Sequence, residues 1–301
     1  MYDIIGDIHG HAEALKALLL KMDYRLKDHV WQHPERKAIF VGDYIDRGPE
    51  IRETLYIVKN MSDSGAAYAL LGNHEYNALA FKNHNPQGGH IRQHSIKNIL
   101  QHYETIKQFQ NYEKEWEDYL AWFANRPLFL EIDGIRVVHA CWDDRHIEYL
   151  KKRSCILDKD ILIAAHQKKS KECRVYDETL KGKEMELPKG HFFLDNDGNS
   201  RPESRTRWWM NPEGLVLTDY LFHAPVSLEG FSIPSTITGN GYDANLPPVF
   251  FGHYWLESDN GPSLQASNVC CLDYSVANKG KLVAYRWSGE QQLKEDNFIY
   301  C

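Results

Sequence analysis

Three short apolar runs, residues 2–5, 38–41 and 67–71, each lead straight into a glycine and then a knot of polar side chains. The first knot reads Gly6-Asp7-Ile8-His9-Gly10 and the second Gly42-Asp43-Tyr44-Ile45-Asp46-Arg47-Gly48, while the third is Gly72-Asn73-His74-Glu75. A helix-length amphipathic stretch precedes each of the last two runs. Leu15, Leu18, Leu19 and Met22 recur at helical spacing over 11–22. Pro49 suits the first turn of a second helix, whose apolar face is Ile51, Leu55, Val58 and Met61. Strand, loop, helix, strand, loop, helix, strand is the order of a parallel α/β sheet. Loops at the carboxyl edge of such a sheet are where ligands bind, so the three knots are expected on one edge.

Further along, Pro86, Gly88 and Gly89 mark 83–89 as a loop, and helices are expected over 91–109 and 112–125. Trp116, Tyr119, Leu120 and Phe123 form one face of the second, read as core packing. Residues 128–132, Asp133-Gly134 and 135–138 read as a hairpin with a two-residue turn, whose second strand ends in His139. Late strands are expected at 249–251, ending in Gly252-His253, at 269–272, leading into Asp273, and at 281–287. They stand too close together for helical crossovers, so antiparallel pairing is expected there. Between lies 145–245, with helical pieces at 145–152 and 158–169, a lysine run (Lys168, Lys169, Lys171) read as a solvated helix end, and a turn-rich stretch over 189–207. Neither end carries a Ser/Gly/Pro linker, so this segment reads as an insertion capping one domain of residues 1–301.

The net charge of −7 argues against a protein that depends on broad attraction to nucleic-acid phosphates. It leaves room for a local basic patch or a metal site. No apolar run approaches the roughly 20 residues of a membrane span, and the N-terminus shows no signal-peptide pattern, so a cytoplasmic protein is the default. Cys141, Cys155, Cys173, Cys270, Cys271 and Cys301 form no C-x-x-C pair and read as reduced thiols. Cys270 and Cys271 are expected on a buried strand, facing opposite sides of a sheet.

Asp7, His9, Asp43, Asn73, His139 and His253 together offer two carboxylates, an amide oxygen and three imidazoles, without thiolate. That set suits Mn²⁺, Fe or Zn²⁺. Two such cations about 3.5–4 Å apart need a bridging carboxylate, and Asp43 is the central candidate. Arg47, four residues on, has the planar fork that holds two phosphate oxygens. His74 follows Asn73 and so faces another way; as a non-ligand it would protonate a leaving oxygen, with Asp46 accepting its other ring proton. Taken singly, each of these residues would be a turn or a surface pair. His11, His29, His33, His84, His90, His94, His102 and His166 are read as solvated.

Taken together, the blocks resemble the metallophosphoesterase (calcineurin-like) superfamily: Asp-x-His, Gly-Asp-x-x-Asp-Arg-Gly, Gly-Asn-His-Glu, a lone His and Gly-His. The resemblance is nearest to the phosphoprotein-phosphatase-like branch, with the bacterial diadenosine tetraphosphatases and the phosphatase part of polynucleotide kinase-phosphatases. It covers 1–80 strongly and 135–143 and 249–275 more thinly. It implies a two-sheet α/β sandwich flanked by helices, and phosphate-ester hydrolysis by a hydroxide activated between two divalent ions, most simply Mn²⁺. Carried over, Asp7 and His9 bind the first metal, Asp43 bridges, and Asn73, His139 and His253 bind the second. Arg47 and Asn73 touch phosphate, and His74 with Asp46 serves the leaving group. Asp273 resembles an acidic residue near the first metal, and Arg207, before Trp208-Trp209, is a candidate second clamp.

One departure is informative. Nuclease-like members carry Gly-His-x-His, and here the second His position is Trp255. That weakens a DNA-repair nuclease reading but does not by itself exclude diester hydrolysis, and the function expected first is that of a Ser/Thr-phosphatase-like phosphomonoesterase. A dinucleoside polyphosphate hydrolase fits the same motifs, and a non-catalytic metal-binding module would have shown losses at Asp46, Arg47 or His74. A phosphoprotein wants an open groove and a nucleotide a walled pocket; oligomeric state is not written in the motifs.

Overall fold

The computed structural model describes residues 1–301 except 154–155, 195–197, 199 and 258, so Cys155 lies outside the described residues. The chain opens with β1 (Tyr2–Ile5), α1 (Ala12–Lys21), a small hairpin of β2 (Arg25–Lys27) and β3 (Val30–Gln32), then β4 (Lys37–Phe40), α2 (Ile51–Asp63), β5 (Ala67–Ala69) and α3 (Asn73–Lys82). Strands β1, β4 and β5 pair in parallel, with Ile5 opposite Phe40 and Phe40 opposite Ala69. The three polar knots therefore leave the same edge.

Two short helices, α4 (Ile96–Gln101) and α5 (Tyr103–Phe109), stand where one helix over 91–109 is expected. Ser95 starts the first by accepting the Asn98 N–H on its Oγ, and His102, at φ −101° and ψ 5°, breaks the register between them. Next come α6 (Glu113–Ala124) and the hairpin β6 (Phe129–Ile132) and β7 (Ile135–Val138). Its turn residues Asp133 and Gly134 both hold positive φ, as a two-residue turn of this kind requires. The 145–245 segment contributes α7 (Asp144–Lys151), α8 (Lys159–His166), α9 (Lys171–Lys181), β8 (Glu184–Glu186), β9 (Phe193–Leu194), β10 (Ser200–Arg201), β11 (Glu203–Arg205) and α10 (Leu217–Tyr220). The chain closes with β12 (Val249–Phe251), β13 (Val269–Cys271), β14 (Asp273–Tyr274), β15 (Lys281–Trp287) and β16 (Phe298–Tyr300).

One sheet runs β14-β15-β1-β4-β5, with β16 on β15; the other runs β13-β12-β7-β6. Antiparallel pairing of the late strands holds for β14, β15 and β16 but not for β12, which pairs in parallel with β7 on one side and β13 on the other. The connection over 252–268 is long enough to cross over without a helix. That parallel placement brings His253, after β12, to the same edge as His139, after β7.

The sheets pack face to face through Ile4, Ile39, Val41, Val137, Phe250 and Tyr285. On the outer face of the first, Ile5 and Phe40 meet α1, α2 and α6 through Leu15, Leu55, Met61 and Phe123. Trp116 is packed against this core, as its face predicts. Trp208 and Trp209 cover the outer face of the second sheet, against Val138, Phe251 and Cys271. Cys270 faces the inter-sheet core and Cys271 the outer one. None of the described helices is long and apolar enough to cross a membrane.

Candidate active site

At the shared carboxyl edge the backbone is held in unusual conformations. His9, Asp43, Asp46, Arg47, His253 and Trp255 all carry positive φ, between 47° and 70°. Residues outside glycine occupy this region at a cost of about 1–3 kcal/mol each, and such strain gathers at functional sites. Glu75 supplies much of the restraint. Its Oε2 accepts the N–H of Gly72 at 3.0 Å and of Asp43 at 2.9 Å, and its Oε1 accepts those of Tyr44 at 2.8 Å and Ile45 at 3.2 Å. The third knot thus clamps the second.

Around Asp43 the potential ligands converge in two groups whose ligating atoms lie within 4.8 Å of one another: His9, Asp43 and His74, and Asp43, His139 and His253. Asp43 belongs to both, the place a bridge would occupy. Asp7 is in neither, yet it is 2 % exposed and one of its oxygens has no partner, the other accepting the His253 N–H at 3.0 Å. Asn73 Oδ1 lies 3.0 Å from His139 Nε2.

The donor chemistry fits divalent cations. His9 Nδ1 faces the Ile45 carbonyl and His139 Nδ1 the Val41 carbonyl, both at 2.9 Å, so each Nδ1 carries the proton. The remaining nitrogen of His9 then presents its lone pair to oxygen, Nε2 standing 3.6 Å from Asp43 Oδ2, while His139 Nε2 stands 3.4 Å from Asp43 Oδ1. Acceptors facing acceptors in a buried site are an arrangement that a cation between them relieves. His9 Nε2 and His253 Nε2 are buried without a hydrogen-bond partner.

The electrostatics agree. Burial, with His74 close by, pushes His9 down to about 3, and burial with Arg205 and His139 pushes His253 well down, so both are neutral and free to ligate. Burial with the carboxylates of Asp273 and Asp43 pushes Asp7 well up. Burial would raise Asp43 too, but His139 and His74 hold it well below the usual range.

Beside this cluster His74 Nδ1 meets Asp46 Oδ2 at 2.5 Å, and its ring otherwise faces Asp43, with Nε2 3.9 Å from Oδ2. Burial disfavours a charged His74, but Asp43 and Asp46 together raise it. Arg47 is exposed and lies over the Trp255 ring, 4.4 Å from its centre. Asp273 uses one oxygen on the Trp255 N–H at 2.8 Å and the other on that of Ser275 at 3.0 Å, so it holds the loop that carries Trp255. Arg207 donates to the Asp219 carbonyl at 2.6 Å and does not line the cavity; Arg205, two residues earlier, does, and reaches the His253 carbonyl at 3.1 Å. Trp208 and Trp209 give no aromatic wall.

Of the histidines read as solvated, His166 and His102 are held by other side chains. His166 is half-buried and stacked on Tyr76, ring centres 4.8 Å apart. His102 is buried, and its Nδ1 lies 2.7 Å from Asp46 Oδ1. Nothing in its surroundings in sequence marks it, because its partner is on another knot.

The site opens into a cavity of about 810 Å³ lined by Arg47, Arg92, Arg174 and Arg205, by the aromatic rings of Phe81, Phe193 and Trp255, and by the carboxylates of Asp177, Glu178, Glu184 and Glu203. Among the described residues no carboxylate forms an ion pair with Arg47, Arg92 or Arg205.

The sequence model of a family described as "Calcineurin-like phosphoesterase" matches residues 2–253. The chain is 33% identical over 141 residues to the asymmetrical bis(5'-nucleosyl)-tetraphosphatase PrpE of Oceanobacillus iheyensis, covering 46% of this chain and 54% of the relative. It is 31% identical over 138 residues to the symmetrical bis(5'-nucleosyl)-tetraphosphatase of Vibrio parahaemolyticus, covering 46% and 43%. The chain thus spans about half the length of the curated relatives it matches. A protein serine/threonine phosphatase from Saccharomyces cerevisiae shares the fold at a TM-score of 0.50 and 14% identity, over 99% of this chain and 78% of that one.

Proposed function

The chain belongs to the calcineurin-like phosphoesterase family, and from that premise we propose that it is a hydrolase cleaving a small polyphosphorylated substrate of the dinucleoside polyphosphate kind. The cavity carries this reading. At about 810 Å³ it is far larger than one phosphoryl group needs, and cations from separate stretches wall it, among them Arg47, Arg92, Arg174 and Arg205. Small-molecule sites have volumes of this order, and guanidinium groups match phosphate oxygens in pairs. The tetraphosphatase relatives point the same way.

Asp7, His9 and Asp43 would hold one divalent ion, and Asp43, Asn73, His139 and His253 a second. Bound there, the two ions would supply Lewis acidity and an activated water. The chain's own residues do the rest. Arg47, lying on Trp255, would fix the phosphoryl oxygens. His74 would hand its Nε2 proton to the leaving oxygen while its Nδ1 proton stays on the ring, hydrogen-bonded to Asp46. Asp273 would steady the loop of Trp255. Residues 145–245, which bring Arg174 and Arg205 to the cavity, would act as its cap.

A phosphomonoester reading is favoured by one observation: an acid held as firmly as His74 is most useful where the leaving oxygen is a poor one. Turnover of p-nitrophenyl phosphate, a phosphopeptide and diadenosine tetraphosphate, measured side by side with Mn²⁺, separates the two. We expect the dinucleotide to be preferred. Preference for the phosphopeptide would replace this reading with a protein phosphatase, and no turnover by metal-loaded protein would leave a binding module.

A further inference from the structure

Asp46 has more partners than a dyad needs. Its Oδ2 faces His74 Nδ1, while Oδ1 receives two further donors from the α4–α5 unit. His102 Nδ1 approaches Oδ1 at 2.7 Å, and the Thr105 hydroxyl donates to the same oxygen at 2.6 Å. That hydroxyl in turn accepts the Asp46 N–H at 3.1 Å, which fixes the backbone as well as the carboxylate. The His102 ring is itself confined, 5.3 Å from Phe81 and 5.8 Å from Trp116, centre to centre. His102, Thr105 and Asp46 are all buried.

With Oδ1 saturated by two donors, Asp46 has only Oδ2 left to offer. The carboxylate cannot rotate to present its other oxygen without losing both bonds in a site where water does not replace them. We propose that His102 and Thr105 are positioning residues of the leaving-group apparatus, locking the Asp46 carboxylate so that His74 keeps one ring orientation and one tautomer with Nε2 toward the reacting phosphoryl group. Neither touches substrate; both act through Asp46. The inference rests on the hydrolase reading of His74, and its test separates the two.

The variants are His102→Ala, His102→Gln, which restores a donor, and Thr105→Val, which removes only the hydroxyl from a near-isosteric side chain. In metal-loaded protein the wild type and variants are assayed on p-nitrophenyl phosphate and on phenyl phosphate, which differ in leaving group and little in size. His102→Ala should lose roughly tenfold in kcat on phenyl phosphate, the usual scale for a partner of a partner, and much less on the nitrophenyl ester, with KM unmoved. Thr105→Val should follow in the same direction, and His102→Gln should recover part of the loss. In an Asp46→Asn background the His102→Ala change should cost less than about twofold, because groups acting through one carboxylate are not additive.

A second readout needs no turnover. The hydrogen-bonded His74 Nδ1 proton should give a far-downfield NMR signal that shifts upfield or broadens in His102→Ala and returns toward its place in His102→Gln. Equal losses on both esters, additivity with Asp46→Asn, or an unmoved proton signal would each overturn the inference and leave His102 as a structural tie. Wild-type protein inactive on both esters and on diadenosine tetraphosphate would overturn the hydrolytic reading instead, and the proton signal would still decide the positioning role.

Discussion

Asp43 touches more of the site than any neighbour. It stands in both groups of convergent ligand atoms, receives the His74 N–H at 3.0 Å, and gives its own N–H to Glu75. Replacing it by Asn keeps the shape and both backbone bonds but removes the charge shared between the groups. Asp43→Asn should therefore stay folded while losing bound metal and, with it, several kcal/mol of transition-state stabilisation, about a thousandfold in kcat. Metal content by elemental analysis and turnover on one preparation check this; retained turnover with one or no metal would remove the two-ion scheme. The gathering of these side chains was readable because each follows a strand, and strand ends in a parallel sheet share an edge. Glu75 and His102 were not. Their value lies in bonds to residues 30 to 56 positions away in the chain, of which periodicity keeps no record.

At the level of elements, α4 and α5 show why pattern reading failed there. Ile96, Ile99, Leu100, Tyr103 and Ile106 are exposed, while His102 and Thr105 are buried and Gln108 is half-buried. The polar face is turned inward because what it packs on is the second knot. Gln108 accepts the Ile51 N–H at 2.8 Å and donates to the Gly48 carbonyl at 3.1 Å, one turn beyond Thr105. Hydrophobic periodicity assumes an apolar surface beneath the helix, and here that surface is backbone. Helix α3 escaped for the opposite reason. Tyr76, Ala78, Leu79 and Ala80 are buried around most of its circumference, so no single stripe stands out. Its first residue depends on close approach: a Cβ on Gly72 would sit 2.2 Å from both the Asp43 nitrogen and its Oδ1. Gly72→Ala must push α3 away from the second knot, costing about 1–3 kcal/mol or more by overpacking. A fall in both thermal midpoint and metal affinity is expected. A variant with unchanged metal affinity would mean that α3 and the Asp43 loop are not registered through this contact.

For the molecule as a whole, the two-sheet sandwich was legible down to the hairpin turn, and its main surprise was the parallel pairing of β12 with β7 that brings His253 in. The same convergence gathers buried carboxylates, and this sets how stability depends on pH and metal. Burial and mutual repulsion raise Asp7, and burial raises Asp273 despite two backbone donors. An acid whose folded pKa is raised contributes stability that is full below its unfolded value, about 3.9, and is lost as pH rises through the folded value. Metal-free protein should thus be progressively strained toward neutral pH by the charges forming at its centre. Divalent ions neutralise those charges and compete with the same protons, so their affinity rises with pH. His139, raised by Asp43 against the pull of burial, adds a further proton to displace in the same direction. Half-buried imidazoles away from the cluster, such as His166, are depressed by burial with or without metal and cancel in the difference. The rise in Tm on adding Mn²⁺ should accordingly be larger at pH 7.5 than at pH 5.5. Each proton displaced contributes about 1.4 kcal/mol per pH unit, or roughly 2–4 °C in a chain of this size. Scanning calorimetry of chelated and Mn²⁺-loaded protein at the two pH values measures the difference directly. An equal or larger shift at pH 5.5 would mean that the carboxylates are not where the ions bind.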